Sequence, residues 1–203
     1  MTTVEFYFDF GSPNAYLARQ VIPAIEARTG ARFEYVPVLL GGLFKLSGNQ
    51  SPAQAFAGIP KKLAYEGKET QRFIRKHGIT KFRSNPHFPV NTLQLMRGAV
   101  GAQVAGVFEP YVEAVFHAMW EDPRKMDDPA VFHGALAEAG LDADALIALT
   151  QDPEVKAKLL ANTQAAYDHG AFGSPTFRVG EEIFFGKDRL RDVEEEIGAL
   201  RAG

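Results

Sequence analysis

The chain has 203 residues, 46 % of them hydrophobic and 16 of them Phe, enough to bury a core and to exclude a disordered protein. Its net charge of −3 gives no global field for nucleic acid or an anionic membrane, and no apolar run approaches the ~18 residues of a membrane span. Zero cysteines exclude disulfides, thiolate metal sites and self-contained thiol chemistry, so a soluble, cytoplasmic globular protein is expected.

Val4, Phe6 and Phe8 alternate with more exposed positions, the period-2 signature of a strand. Ser12 is a good N-cap, and Pro13 suits the first helical position because the N–H it lacks would be unpaired there anyway. One helix is expected to reach about Arg28, with Leu17, Val21 and Ile25 on one face, kinked at Pro23 and stopped by Gly30. A second strand is predicted over residues 32–38. Residues 41–151 are almost entirely of helical periodicity, with helices predicted over 91–106, 110–120, 129–139 and 142–149. Beyond them, 153–169 reads as a helix, 176–179 and 182–185 as a hairpin around Gly180, and Asp188 as the cap of a last helix reaching Leu200. Placed end to end, β-α-β and α-β-β-α make an α/β thioredoxin fold. Residues 1–40 and 152–203 would form its discontinuous domain and 41–151 an inserted all-helical domain.

A thioredoxin fold keeps its redox cysteines between the first strand and the first helix. Here that place reads Ser12-Pro13-Asn14-Ala15. A cradle for reactive sulfur that brings no sulfur points to a thiol taken from a small molecule. Ser12 read alone is an ordinary N-cap. In this context its hydroxyl can donate a hydrogen bond to a thiolate supplied in trans, beside the positive end of the helix. Ser174-Pro175 precedes the third strand, where the fold places a cis-proline; an ordinary turn is the plainer reading. With the cis bond, Ser174 would offer its backbone N–H and C=O to a peptide-like ligand. Asp188, otherwise a helix cap, can meet an ammonium group. Asn49 and Lys62 together suit a carboxylate.

Between Lys61 and Arg83 stand eight Lys/Arg against two Glu. Such a run is either a solvated helix face or a cationic wall that concentrates an anionic ligand. The five histidines (77, 87, 117, 133, 169) show no paired spacing, so no metal site is assigned. Phosphate-loop and serine-elbow patterns are absent, and the basic run lacks the aromatic interleaving of a single-strand binder.

The residues Phe8-Asp9-Phe10-Gly11-Ser12-Pro13-Asn14-Ala15-Tyr16, Gly48-Asn49, Lys62-x-x-Tyr65, Asn85-Pro86-His87-Phe88-Pro89-Val90-Asn91-Thr92, Arg97, Phe172 to Phe177 and Gly186 to Leu190 together resemble the DsbA-like group. Within it they resemble the 2-hydroxychromene-2-carboxylate isomerases and the kappa-class glutathione transferases. The resemblance implies a homodimer that binds glutathione. Ser12 would meet the thiol, Ser174 beside cis-Pro175 the cysteinyl backbone, Asp188 the γ-glutamyl end, and Asn49 and Lys62 the glycyl end, with Lys61 the alternative to Lys62. Glu69 departs from the pattern, which often has Asp four residues after the tyrosine.

The resemblance implies glutathione-dependent cis-trans isomerisation of 2-hydroxychromene-2-carboxylate, or a related aromatic α-keto acid, to trans-o-hydroxybenzylidenepyruvate during aromatic-compound breakdown. Arg83, Asn85 and His87 are candidates for holding the substrate's carboxylate. The alternatives are a kappa-like transferase or peroxidase acting on electrophiles, and a redox-dead binding module of the same fold.

Overall fold

Alternating apolar side chains set Thr3–Phe8 (β1) at the centre of a four-stranded sheet, seen in a computed structural model that describes residues 1–202. Arg32–Pro37 (β2) runs parallel to β1 on one side. On the other side Thr176–Val179 (β3) is antiparallel to β1, and Glu182–Phe185 (β4) is antiparallel to β3. The resulting order is β2-β1-β3-β4. Pleating sends Val4, Phe6 and Phe8 to one face and Tyr7 to the other. Register places Phe6 opposite both Tyr35 and Phe177, whose rings lie 4.9 and 5.2 Å from its own.

Eleven helices complete the described residues: Pro13–Arg19 (α1), Ile22–Thr29 (α2), Leu40–Ser47 (α3), Pro52–Ala55 (α4), Pro60–His77 (α5), Leu93–Val104 (α6), Phe108–Trp120 (α7), Pro129–Glu138 (α8), Ala143–Leu149 (α9), Pro153–Asp168 (α10) and Leu190–Ala202 (α11). A 3-10 turn, Lys187–Arg189, leads into α11. The phenylalanine face of the sheet joins one continuous core with Tyr111, Phe116, Trp120 and Phe132 of the helices. The opposite face buries Tyr7 with Val38, Leu43, Ala166 and Ala171, where α10 packs on α3 and β2. None of the described helices is both long and apolar enough to cross a membrane.

Two local expectations are corrected. The kinked helix predicted up to Arg28 is two helices, α1 ending at Arg19 and α2 starting at Ile22. Pro23 sits in the first turn of α2, where no intrahelical donor is needed, so it opens a helix rather than bending one. Gly30 does end α2, at φ 64°. Asp188 does not cap the last helix: it lies inside the 3-10 turn, and its carboxylate accepts instead from Lys187 Nζ at 2.9 and 3.0 Å.

Candidate active site

The loop from Asp9 to Ser12 joins β1 to α1, and each of its backbone N–H groups is paired. Asp9 N donates to Ser174 Oγ at 3.1 Å, and Asp9 O accepts from Ser12 N at 3.0 Å. Phe10 N points to Met96 Sδ at 3.4 Å, and Phe10 O accepts from the indole Nε1 of Trp120 at 2.8 Å. Gly11 N donates to Asp9 Oδ1 at 2.8 Å. Buried backbone groups left unpaired would each cost free energy, so this pairing locks the loop. The loop packs closely at Gly11. A Cβ there would meet Thr92 Cγ2 at 3.1 Å and Asp9 Oδ1 at 3.3 Å.

Ser12 is the N-cap of α1, with extended backbone (φ −93°, ψ 112°) and its Oγ accepting from Ala15 N at 3.1 Å. The same hydroxyl donates to the carbonyl of Ser174 at 2.8 Å. The Ser174–Pro175 bond is cis. Ser12 and Ser174, expected from sequence to share one ligand, thus lie in direct contact. Both are nearly buried, at 4 % and 8 % exposure.

The remaining candidates differ in how they are tied to the body of the protein. Asn49 is exposed, and its Nδ2 donates to Phe172 O at 3.0 Å, which ties it to the Ser174 segment. The turn carrying Asp188 packs against α1. Asp188 and the buried Lys187 line a cavity of about 380 Å³ with Glu69, Arg72 and Phe73 of α5. Lys187 Nζ lies 5.2 Å from the Phe73 ring. Lys62 is exposed on α5, its ammonium 3.6 Å from the centre of the Phe56 ring; neighbouring Lys61 is exposed too. The basic run forms much of the largely exposed α5.

The three substrate candidates are less uniform. Asn85 is buried, with Nδ2 donating to Met119 O and Arg124 O at 3.1 Å and Oδ1 accepting from His87 N. Its amide is occupied in holding the loop to the end of α7. Arg83 bonds the carbonyls of Thr80 and Phe82 at 2.9 Å, and His87 is exposed.

Several residues that frame the site carried no local signal in the sequence. Asp9 is fully buried; burial pushes its carboxyl up, opposed by bonds from Leu40 N, Gly11 N and the Thr92 hydroxyl. Tyr16, one turn into α1, donates to Glu121 Oε1 at 2.9 Å. Burial pushes the Glu121 carboxyl up, but Tyr16 and His117 bonded to it, with Lys81 nearby, hold it below the usual carboxylate range. Only the oddity of an acid between two phenylalanines, Phe8-Asp9-Phe10, could have flagged Asp9.

The sheet order, the cis-proline facing the β1–α1 loop and the Ser12–Ser174 contact define a thioredoxin-type protein whose first site position is serine. The chain belongs to the DSBA-like thioredoxin domain family, whose model matches residues 3–198. Within that family it is 30 % identical over 200 residues to a 2-hydroxychromene-2-carboxylate isomerase of Sphingobium xenophagum, covering 96 % of this chain and 97 % of the relative. It is 28 % identical to glutathione S-transferase kappa 1 of Rattus norvegicus, covering 96 % and 90 %. A solved structure of a 2-hydroxychromene-2-carboxylate isomerase superposes with a TM-score of 0.80 at 27 % identity, covering 98 % of this chain and 95 % of that one.

Proposed function

We propose that the protein is a glutathione-dependent isomerase that converts 2-hydroxychromene-2-carboxylate, or a closely related aromatic α-keto acid, to its trans-benzylidenepyruvate isomer. The observation that carries this reading is the Ser12 hydroxyl bonded to the Ser174 carbonyl, at the sulfur position of the fold, in a chain without cysteine. Relatives named as isomerases and as kappa-class glutathione transferases support the reaction class and the cofactor.

The residues present fit glutathione. In the structure the Ser12 O–H and the Ser174 C=O satisfy each other, so neither is an orphaned buried group. Turning the Ser12 hydroxyl about its Cα–Cβ and Cβ–Oγ bonds exchanges this neutral bond for a charge-assisted one to a thiolate. The same turn frees the Ser174 carbonyl for a peptide N–H. In this reading Asp188 exchanges its bond to Lys187 for one to the γ-glutamyl ammonium, and Asn49 with Lys62 meets the glycyl carboxylate.

Bound glutathione supplies a thiolate nucleophile whose reversible addition to a conjugated C=C removes the barrier to rotation. Ser12 raises the fraction of thiol in the reactive form, because each unit of pKa lowering needs only about 1.4 kcal/mol of preferential interaction with the anion. The locked loop holds the Ser12 backbone in place before the ligand arrives, so that only its hydroxyl has to turn. The basic face of α5 attracts the anionic substrate. The homodimer expected for such a protein is checked by sedimentation.

The test is the absorbance change of 2-hydroxychromene-2-carboxylate mixed with purified protein. Rapid conversion only when glutathione is present is the expected result. A stable thioether product in place of isomerisation would move the assignment to a transferase. No turnover and no glutathione binding by folded protein would leave a binding module.

A further inference from the structure

We propose that Asp9 is the positioning residue that couples the two ends of the site, fixing the Ser12 loop to the start of α3, the helix that leads to Asn49. The proposal rests on reading Ser12 as the thiol end and Asn49 as part of the glycyl end of glutathione.

Asp9 meets four separate segments. Through its backbone it holds Ser12 N and Ser174 Oγ. Through Oδ1 it accepts from Gly11 N at 2.8 Å, and through Oδ2 from Leu40 N at 2.7 Å, 31 residues away. The Thr92 hydroxyl at the start of α6 is a third donor to the carboxylate. Among the described residues no Lys, Arg or His forms an ion pair with it. A fully buried carboxyl group without a counter-cation is expensive, and a role in packing alone would be met more cheaply by an apolar residue.

The geometry explains why a carboxyl group stands there. Two backbone N–H groups face its two different oxygens, and an amide offers only one acceptor oxygen. One of these donors belongs to the Ser12 loop and the other to α3. The N-cap of α3, Leu39, makes no side-chain capping bond, so Asp9 supplies from a distance the acceptor that the helix lacks. From Leu40 the helix runs as a rigid rod of eight residues to Gly48, and Asn49 follows. Fixing Leu40 to the Ser12 loop therefore fixes the span between the two ends that one glutathione molecule would bridge. Binding energy from its glycyl end is realised only if that span is right.

Two substitutions separate this role from general stability. Asp9→Asn sets an NH2 group against one of the two N–H donors. Leu40→Pro keeps the Asp9 side chain but sets a ring carbon where the Leu40 N–H met Oδ2, so it breaks the tie to α3 from the other side. That position is the first of α3, where proline is tolerated, and Leu39 before it is already extended (φ −96°, ψ 110°). The measurement is the affinity of each purified protein for glutathione and for γ-glutamylcysteine, which has the thiol and γ-glutamyl end but no glycyl residue. Quenching of Trp120, the chain's single tryptophan, bonded to the same loop, gives the readout together with calorimetry.

The wild type should prefer glutathione by about tenfold, and either variant, or Asn49→Ala, should bring the two ligands within about twofold of each other. An unchanged preference in folded Asp9→Asn or Leu40→Pro, with the preference lost in Asn49→Ala, overturns the role of Asp9 alone. Absence of glutathione binding by the wild type, or a preference that Asn49→Ala does not move, overturns the underlying site reading and the proposal with it. If Asp9→Asn does not fold, Leu40→Pro decides.

Discussion

The two ends of the candidate site are built in opposite ways. Around Ser12 every backbone N–H from Asp9 to Ser12 is paired, within the loop or to Ser174 and Met96, and Ser12 and Ser174 are nearly buried. Around Lys62 the chain stands off the body. Helix α4 buries no residue and the eighteen-residue α5 buries only Phe73. The contrast teaches where each kind of precision is needed. A group that raises the reactivity of a thiolate must be held before the ligand arrives, whereas a lysine that meets a carboxylate end acts as a point charge and tolerates motion. Asn49 links the two regimes, exposed but bonded to Phe172 O beside the Ser174 loop.

The comparison sharpens most at Ser12. Replacing Ser12 with Ala should lower turnover by roughly 10²-fold, the usual effect of removing one preorganised donor to a developing or stabilised anion. Its folding stability should fall by only about 1 kcal/mol, the value of a lost N-cap. Steady-state kinetics beside thermal melting reads both, and intact turnover in a folded variant would break the distinction between the two ends.

Trp120→Phe probes the rigidity itself. It keeps most of the aromatic packing but leaves the buried Phe10 carbonyl without its donor, which should cost about 2 kcal/mol in denaturant unfolding. A next smaller effect, with a defined pH window, is expected at Tyr16. Glu121 has a folded-state pKa below its unfolded value, so its contribution to stability is present above about pH 4.5 and is lost as pH falls through the folded value. Tyr16→Phe removes one of the bonds responsible and should cost about 1 kcal/mol at pH 7 and less at pH 3. Equal losses at both pH values would show that the bond does not depend on the carboxylate.

The exposed end should give the smallest response. Lys62→Ala is expected to weaken glutathione binding about threefold with kcat unchanged, since an exposed charge contact is screened. Its melting temperature should stay at the wild-type value. A loss of kcat comparable to that of Ser12→Ala would mean that the outlying helix closes into the chemistry.

What the sequence disclosed follows from the range of each interaction. Ser12-Pro13 before an amphipathic run, and the hairpin at Gly180, are local signals, and the structure places them as read. The cis-proline after Ser174 was legible because a thioredoxin topology places one before its third strand, although Gly-Ser-Pro read alone is an ordinary turn. The bracing of the loop was not legible. Asp9 to Leu40 spans 31 residues, Tyr16 to Glu121 spans 105 and Trp120 to Phe10 spans 110, and no pattern within a window of one helix encodes such a bond. Asp188 misled because an acid before an apolar run looks like a cap, whereas the buried ammonium of Lys187, one residue earlier, takes its carboxylate. Pro23 misled because a proline in a first turn and one in a helix interior differ only in where the preceding helix stops.

The central claim is that Ser12 holds a borrowed thiol in its reactive form. Its most direct test is the titration of protein-bound glutathione by thiolate absorbance near 240 nm, in the wild type and in Ser12→Ala. The account predicts a bound thiol pKa below that of free glutathione in the wild type, with most of the lowering gone in the variant. A bound thiol that titrates as it does in free glutathione in the wild type would contradict it.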